Sequence, residues 1–230
     1  MVRSINMGIK ITNLKKKYNS FGAEIVALGG INLSFRDGEL VAIVGESGSG
    51  KTTLLNQLCG MDTPDEGEII IDGVNLCKLS ANDLCKMRRS KIGVVYQFYN
   101  LIPELNVRDN ITLPVELDRR EVNEEELSEI LETVGLSGRE RAFPSALSGG
   151  QQQRVAIARA LYQKPSLILA DEPTGNLDEK NGEDILSLLC KLNEERKITV
   201  IIVTHSKTVA DRAKRLITLK NGTVIFDEVR

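Results

Sequence analysis

The sequence predicts an α/β fold: a parallel sheet with helices on both faces, a small antiparallel β subdomain ahead of it, and a helical block inserted within it. Three observations carry this expectation. Short, nearly continuous apolar runs recur at Leu40–Val44, Leu167–Ala170 and Val200–Val203, the pattern of strands covered on both faces. Each run ends in polar residues rather than a hairpin turn, so helical crossovers and parallel strands are implied. Between Phe98 and Leu161 the apolar period becomes that of a helix.

In chain order, the alternating segments Ile9–Leu14 and Ile31–Phe35 read as strands of the small sheet, and the turn Arg36-Asp37-Gly38-Glu39 precedes the first buried strand. That strand, Leu40–Val44, runs directly into glycines, followed by a helical segment from Thr53 to Cys59. Ile92–Tyr96 reads as another strand. In the inserted block, Leu127, Ile130, Leu131 and Val134 form a helical stripe, and the acidic run Glu121–Glu129 is its solvated face. A further helix spans Gln152–Leu161, and Ile185, Leu188, Leu189 and Leu192 fall at i, i+3, i+4 and i+7 of the last crossover. The chain shows no repeats or low-complexity linkers.

A length of 230 residues suits one large domain, residues 1–230, with the helical insert at about 98–161. Hydrophobic residues make up 41% and charged residues 27%, the balance of a water-soluble domain. Lys and Arg total 30 against 32 Asp and Glu, a formal net charge of -2, so nucleic acid is not expected as a partner. The dense basic cluster Lys86, Arg88, Arg89 and Lys91 reads as a solvated helix face. Met1–Lys10 carries no apolar leader and no stretch is long and apolar enough to span a bilayer, so any membrane role must come through a partner. The four cysteines, Cys59, Cys77, Cys85 and Cys190, have no metal-site spacing and are expected to be reduced and mostly buried, which suits a cytoplasmic address.

Gly45-Glu46-Ser47-Gly48-Ser49-Gly50-Lys51-Thr52 fits G-x-x-x-x-G-K-[ST] between a buried strand and a helix that Thr53 opens. Glycines let backbone N–H groups converge, the helix N-terminus adds positive partial charge, Lys51 neutralises β and γ phosphates, and Thr52 offers a hydroxyl to Mg²⁺. The expected fold class is therefore α/β, a P-loop NTPase (RecA-like) parallel-sheet core with an N-terminal antiparallel β subdomain and an inserted α-helical subdomain. The apolar strand Leu167–Ala170 ends in Asp171-Glu172. Standing alone, such a pair would be an ordinary loop start. Beside the phosphate cradle, Asp171 is expected to hold magnesium and Glu172 to polarise the water that attacks the γ phosphate.

Together with these motifs, Leu147-Ser148-Gly149-Gly150-Gln151 resembles the signature sequence of ABC ATPases. The resemblance runs from about Ile9 to Val229 and implies a head-to-tail homodimer, with ATP sandwiched between the cradle of one copy and the signature of the other. It further implies that Tyr18 stacks on adenine and that Gln97 touches Mg²⁺ or the attacking water. Asp178 would lie in a loop crossing the dimer interface, and His205, the single histidine, would bond the γ phosphate and steady the base. The segments Phe98–Pro103, Ser148–Arg154 and Gly175–Asp178 are similar to those of the macrolide-exporter, lipoprotein-releasing and antimicrobial-peptide-resistance types. The implied function is ATP hydrolysis driving a separate integral-membrane permease at the cytoplasmic face of the cell membrane. The alternatives are a permease that signals or remodels the wall, and a soluble ABC ATPase acting on DNA or ribosomes.

Overall fold

The computed structural model describes residues 8–20 and 23–230, so most of Met1–Lys10, the segment without an apolar leader, lies outside the described residues. Two sheets organise the chain. The first is antiparallel and brings together β1 (Ile9–Ser20), β2 (Ala23–Phe35), β4 (Glu66–Ile71) and β5 (Val74–Asn75) in the order β2-β1-β4-β5. The second has six strands: β3 (Leu40–Val44), β6 (Ile92–Val95), β7 (Leu167–Asp171), β8 (Thr199–Val203), β9 (Arg215–Lys220) and β10 (Thr223–Val229). Their order is β10-β9-β3-β8-β7-β6; all neighbours are parallel except β10, which folds back antiparallel on β9.

The apolar runs of β7 and β8 are continuous because both faces of this sheet are covered. Ile168 and Ala170 of β7 and Val200 and Ile202 of β8 face a core shared with the inserted helices. Leu167, Leu169, Ile201 and Val203 face the opposite core, shared with the antiparallel sheet. Period-two alternation thus distributes one apolar run between two interiors. The helix α1 (Lys51–Leu58) fills the space between the sheets through Leu54, Leu55 and Leu58. On the other face lie α3 (Val107–Leu117), α4 (Glu124–Thr133), α5 (Gly149–Tyr162) and α6 (Glu179–Arg196). Glu124, Glu125 and Glu126 occupy the first turn of α4, where negative charge complements the helix dipole.

Several elements differ from expectation. β1 continues past Leu14 to Ser20, through bulges beside Asn13, whose φ is 46°. Its polar second half breaks the alternation that would announce a strand. β4, β5, β9 and β10 lie outside the expected elements; β5 has two residues and β10 is largely exposed, so neither shows an apolar strand pattern. Of the cysteines, all free, only Cys59 is buried; Cys77, Cys85 and Cys190 are half-buried. The basic cluster on α2 (Ala81–Lys91) is only partly a solvated face. Lys86 and Lys91 are exposed, but Arg88 donates to the Gly60 carbonyl at 2.7 Å and Arg89 pairs with Asp118 at 2.5 Å. These bonds tie α2 to the end of α1 and to the turn after α3. Among the described residues, no helix is long and apolar enough to cross a membrane.

Candidate functional site

The glycine loop leaves β3, whose residues from Leu40 to Ile43 are fully buried, and enters α1 at Lys51. Two of its glycines are sterically required. A Cβ on Gly45 would lie 2.3 Å from the Leu219 carbonyl oxygen, and one on Gly50, at φ 102°, would lie 2.5 Å from that of Ala27. The loop is therefore pressed against β9 and β2, and only glycine lets it pass. Lys51 is 9% exposed, and its ammonium donates to the Gly45 and Glu46 carbonyls, each at 2.8 Å. Ser49 is also buried, while Glu46, Ser47, Gly48 and Thr52 are exposed and Thr53 is half-buried. The positive charge thus sits inside the loop, at the N-terminus of α1.

Sheet register brings three further groups to the same edge. Ile43 pairs with Val203 and Val203 with Asp171, so the ends of β3, β8 and β7 emerge side by side. Asp171 is half-buried, and burial, then the adjacent Glu172 carboxylate, push its carboxyl above its ordinary value while the Lys51 ammonium opposes them. Glu172 has φ 45°, an uncommon backbone for a non-glycine residue, fixed by an N–H donated to the Val203 carbonyl at 2.9 Å. One carboxylate oxygen of Glu172 lies 2.7 Å from His205 Nδ1; the other accepts from the Thr204 hydroxyl at 2.9 Å.

Gln97 follows the end of β6, the strand beside β7. Its amide donates to Asn176 Oδ1 at 3.0 Å, and Asn176 Nδ2 donates back to the Gln97 carbonyl at 3.0 Å. This reciprocal pair locks Gln97 to the Gly175–Asp178 loop. Asp178 caps α6, accepting from the Asn181 N–H, and this bond, followed by one from the Asn181 side chain, holds its carboxyl below its ordinary value. Tyr18, on β1, donates to Asp62 at 2.6 Å; its ring lies 5.2 Å from the Lys16 ammonium and is partly exposed.

The signature residues form a separate structure. Ser148 is the N-cap of α5 and makes a capping box with Gln151: the Gln151 N–H donates to Ser148 Oγ at 3.3 Å, and the Ser148 N–H to Gln151 Oε1 at 3.0 Å. Because of this cap, α5 begins at Gly149 rather than at the expected Gln152. A Cβ on Gly149 would lie 2.8 Å from the Tyr99 hydroxyl, and one on Gly150 2.7 Å from Asn181 Oδ1. The signature is thus packed against the Asp178 loop and the Tyr99 turn. Among the described residues, no hydrogen bond joins residues 148–151 to residues 45–53.

Three participants escaped sequence reasoning. Thr204 is fully buried beneath Glu172, and Asn176 clasps Gln97. Gln153, also fully buried, donates to the carbonyls of Pro173 at 2.9 Å and Tyr96 at 3.3 Å, joining α5 to the residues after Glu172 and before Gln97. A signal for Gln153 existed: it is a polar residue on the helix face of Ala156, Ile157 and Ala160, all buried.

The chain resembles proteins of one family along most of its length. The sequence profile described as ABC transporter matches residues 28–175. MJ0796 of Methanocaldococcus jannaschii, an uncharacterized ABC transporter ATP-binding protein, is 48% identical over 227 residues, covering 96% of each chain. Its dimeric post-hydrolysis structure, bound to ADP and Pi, matches with a TM-score of 0.88 at 44% identity, over 96% of this chain and 98% of that one. LolD of Bordetella pertussis, the ATP-binding protein of a lipoprotein-releasing system, is 43% identical over 93% of this chain and 94% of its own. The macrolide export ATP-binding/permease protein MacB of Rhodopirellula baltica is 43% identical over 95% of this chain and 33% of its own. The chain belongs to the ABC transporter family and is one of its ATP-binding cassettes.

Proposed function

We propose that the chain is the ATP-hydrolysing subunit of a membrane transporter, working as a head-to-tail pair with the chemistry centred on the joined ends of β3, β8 and β7. The observation that carries this reading is the placement of Lys51, Asp171, Glu172 and His205 on one sheet edge, while Ser148–Gln151 open a different helix. One chain supplies both halves of a nucleotide site without bringing them together. A second copy completes it, as the dimeric MJ0796 structure supports.

The loop amides of residues 45–53 and the Lys51 ammonium bind the β and γ phosphates, with Lys51 exchanging its two carbonyl partners for phosphate oxygens. Tyr18 stacks on adenine. Glu172 orients a water for in-line attack and takes a proton from it as a bond forms between that oxygen and the γ phosphorus; the bond to the β–γ bridging oxygen breaks, and ADP and phosphate leave, the proton passing to phosphate. His205 bonds the γ phosphate and steadies Glu172, and Asp178 meets the second copy across the interface.

The site also suits Mg²⁺. Burial and the Glu172 carboxylate both disfavour the charged form of Asp171, an excess of negative charge that a divalent cation offsets. Few protein ligands completed by substrate phosphates is the usual magnesium arrangement. Thr52, Gln97 and Asp171 would hold the ion, which when bound neutralises phosphate charge.

The likeness to LolD and MacB supports an export, lipoprotein-release or antimicrobial-peptide-resistance system, with a separate permease holding this subunit at the cytoplasmic face of the membrane. Steady-state phosphate release by the purified protein is the test. Chelation by EDTA is expected to stop release, and Lys51→Ala to weaken nucleotide binding by roughly tenfold or more, the scale of a lost charge-assisted hydrogen bond. Release indifferent to both changes would refute the site.

A further inference from the structure

The geometry points to Thr204 as a positioning residue that holds Glu172 in its working orientation, leaving His205 free to serve the nucleotide. This rests on the reading of Glu172 as the group that orients the attacking water.

The two oxygens of Glu172 are held by unlike partners. The Thr204 hydroxyl is 0% exposed, whereas the His205 side chain is 75% exposed and that of Glu172 15%. Water can replace the imidazole as a partner of one oxygen, but cannot reach the buried hydroxyl that bonds the other. Thr204 is itself fixed from three directions. Its hydroxyl accepts from the Ser206 N–H at 3.0 Å, so its own proton is directed to Glu172 Oε2. Its backbone N–H donates to the Ile43 carbonyl at 3.0 Å, two residues before the phosphate loop begins. The Glu172 N–H donates to Val203, the residue before Thr204. A short chain of bonds thus runs from the strand feeding the cradle, through Thr204, to the carboxylate, with no exposed group along it.

This arrangement separates two roles. A carboxylate held only by His205 would turn whenever the imidazole moved toward a phosphate. Anchored by Thr204, it keeps its aim while His205 moves. Positioning of this kind lowers the barrier by removing wrong orientations of the attacking water, and contributes little to nucleotide affinity.

Thr204→Val keeps the β-branched shape and removes the hydroxyl; Thr204→Ser keeps the hydroxyl and removes the methyl. Each is assayed for kcat and KM of ATP hydrolysis in the full-length protein, with folding followed by circular dichroism melts. Thr204→Val is expected to lower kcat roughly 10- to 100-fold, the range of a lost hydrogen bond to a charged group, with KM changed less than about threefold. Thr204→Ser is expected to recover most of kcat. In a Glu172→Gln background, Thr204→Val is expected to lower the residual turnover no further, because both changes remove one function. If Thr204→Val does not fold, Thr204→Ala carries the same test. Parental kcat in the folded Val or Ala variant, or an equal loss in both backgrounds, overturns the inference about Thr204. Parental turnover in Glu172→Gln alone overturns the reading of Glu172 instead.

Discussion

The sheet edge and the signature turn are built from similar material, glycines and hydroxyls at a helix N-terminus, yet they are in opposite conditions. At the edge, the important groups are each held by two or more hydrogen bonds: Lys51 by two carbonyls, Glu172 by Val203, Thr204 and His205, and Thr204 by Ile43 and Ser206. At the signature, Ser148 is exposed and its hydrogen bonds are spent locally, on Gln151. The first region is assembled within one chain; the second is ordered by its own cap and presents its outer face to whatever binds there. Groups held by several partners are thus concentrated at the sheet edge, whereas Ser148 at the signature is left open to solvent.

That contrast can be broken at either end. Ser148→Ala removes a cap worth about 1 kcal/mol of helix stability, a small loss for a domain of this size. If the outer face of the signature serves a nucleotide held by the other copy, turnover falls roughly tenfold or more, while binding of ATP to the single chain is unaltered. Fluorescent-nucleotide titration beside phosphate release separates these effects, and parental turnover would remove the signature from the site.

Asp171→Asn sharpens the account of the edge with a smaller effect. Burial and Glu172 raise the folded-state pKa of Asp171, so the folded protein holds that proton more tightly than the unfolded chain. Stability therefore falls as pH rises from about 3.9 through the folded-state value. Asn carries no such penalty. Thermal melts without nucleotide or metal should show a higher Tm for Asp171→Asn at pH 7 and a smaller difference as the pH is lowered toward 4. A lower Tm at pH 7 would mean that Asp171 is held by favourable contacts instead.

The sequence showed most plainly what both cores and the loop chemistry demand. β3, β7 and β8 were legible because both their faces are buried, and the cradle because its glycines, lysine and threonine have few other uses in that order. β10 was hidden because an exposed strand shows no apolar alternation, and the second half of β1 because bulges and lysines obscure it. Candidate site residues close in sequence to a motif were named readily. Thr204 and Gln153 were missed because their work is done through burial: one lies under a carboxylate 32 positions away, the other between two carbonyls 57 and 20 positions distant. Such partners become visible only when the strands are laid side by side.

The central claim is that one chain holds two half-sites that only a second copy can join. The most direct test is the mass in solution, by light scattering, of Glu172→Gln, a variant that retains the cradle and signature but in which hydrolysis is expected to fall by about 10² to 10⁴. A monomer without nucleotide that becomes a dimer on addition of MgATP is the result expected. A monomer under both conditions, at concentrations where ATP is shown to be bound, would contradict the account.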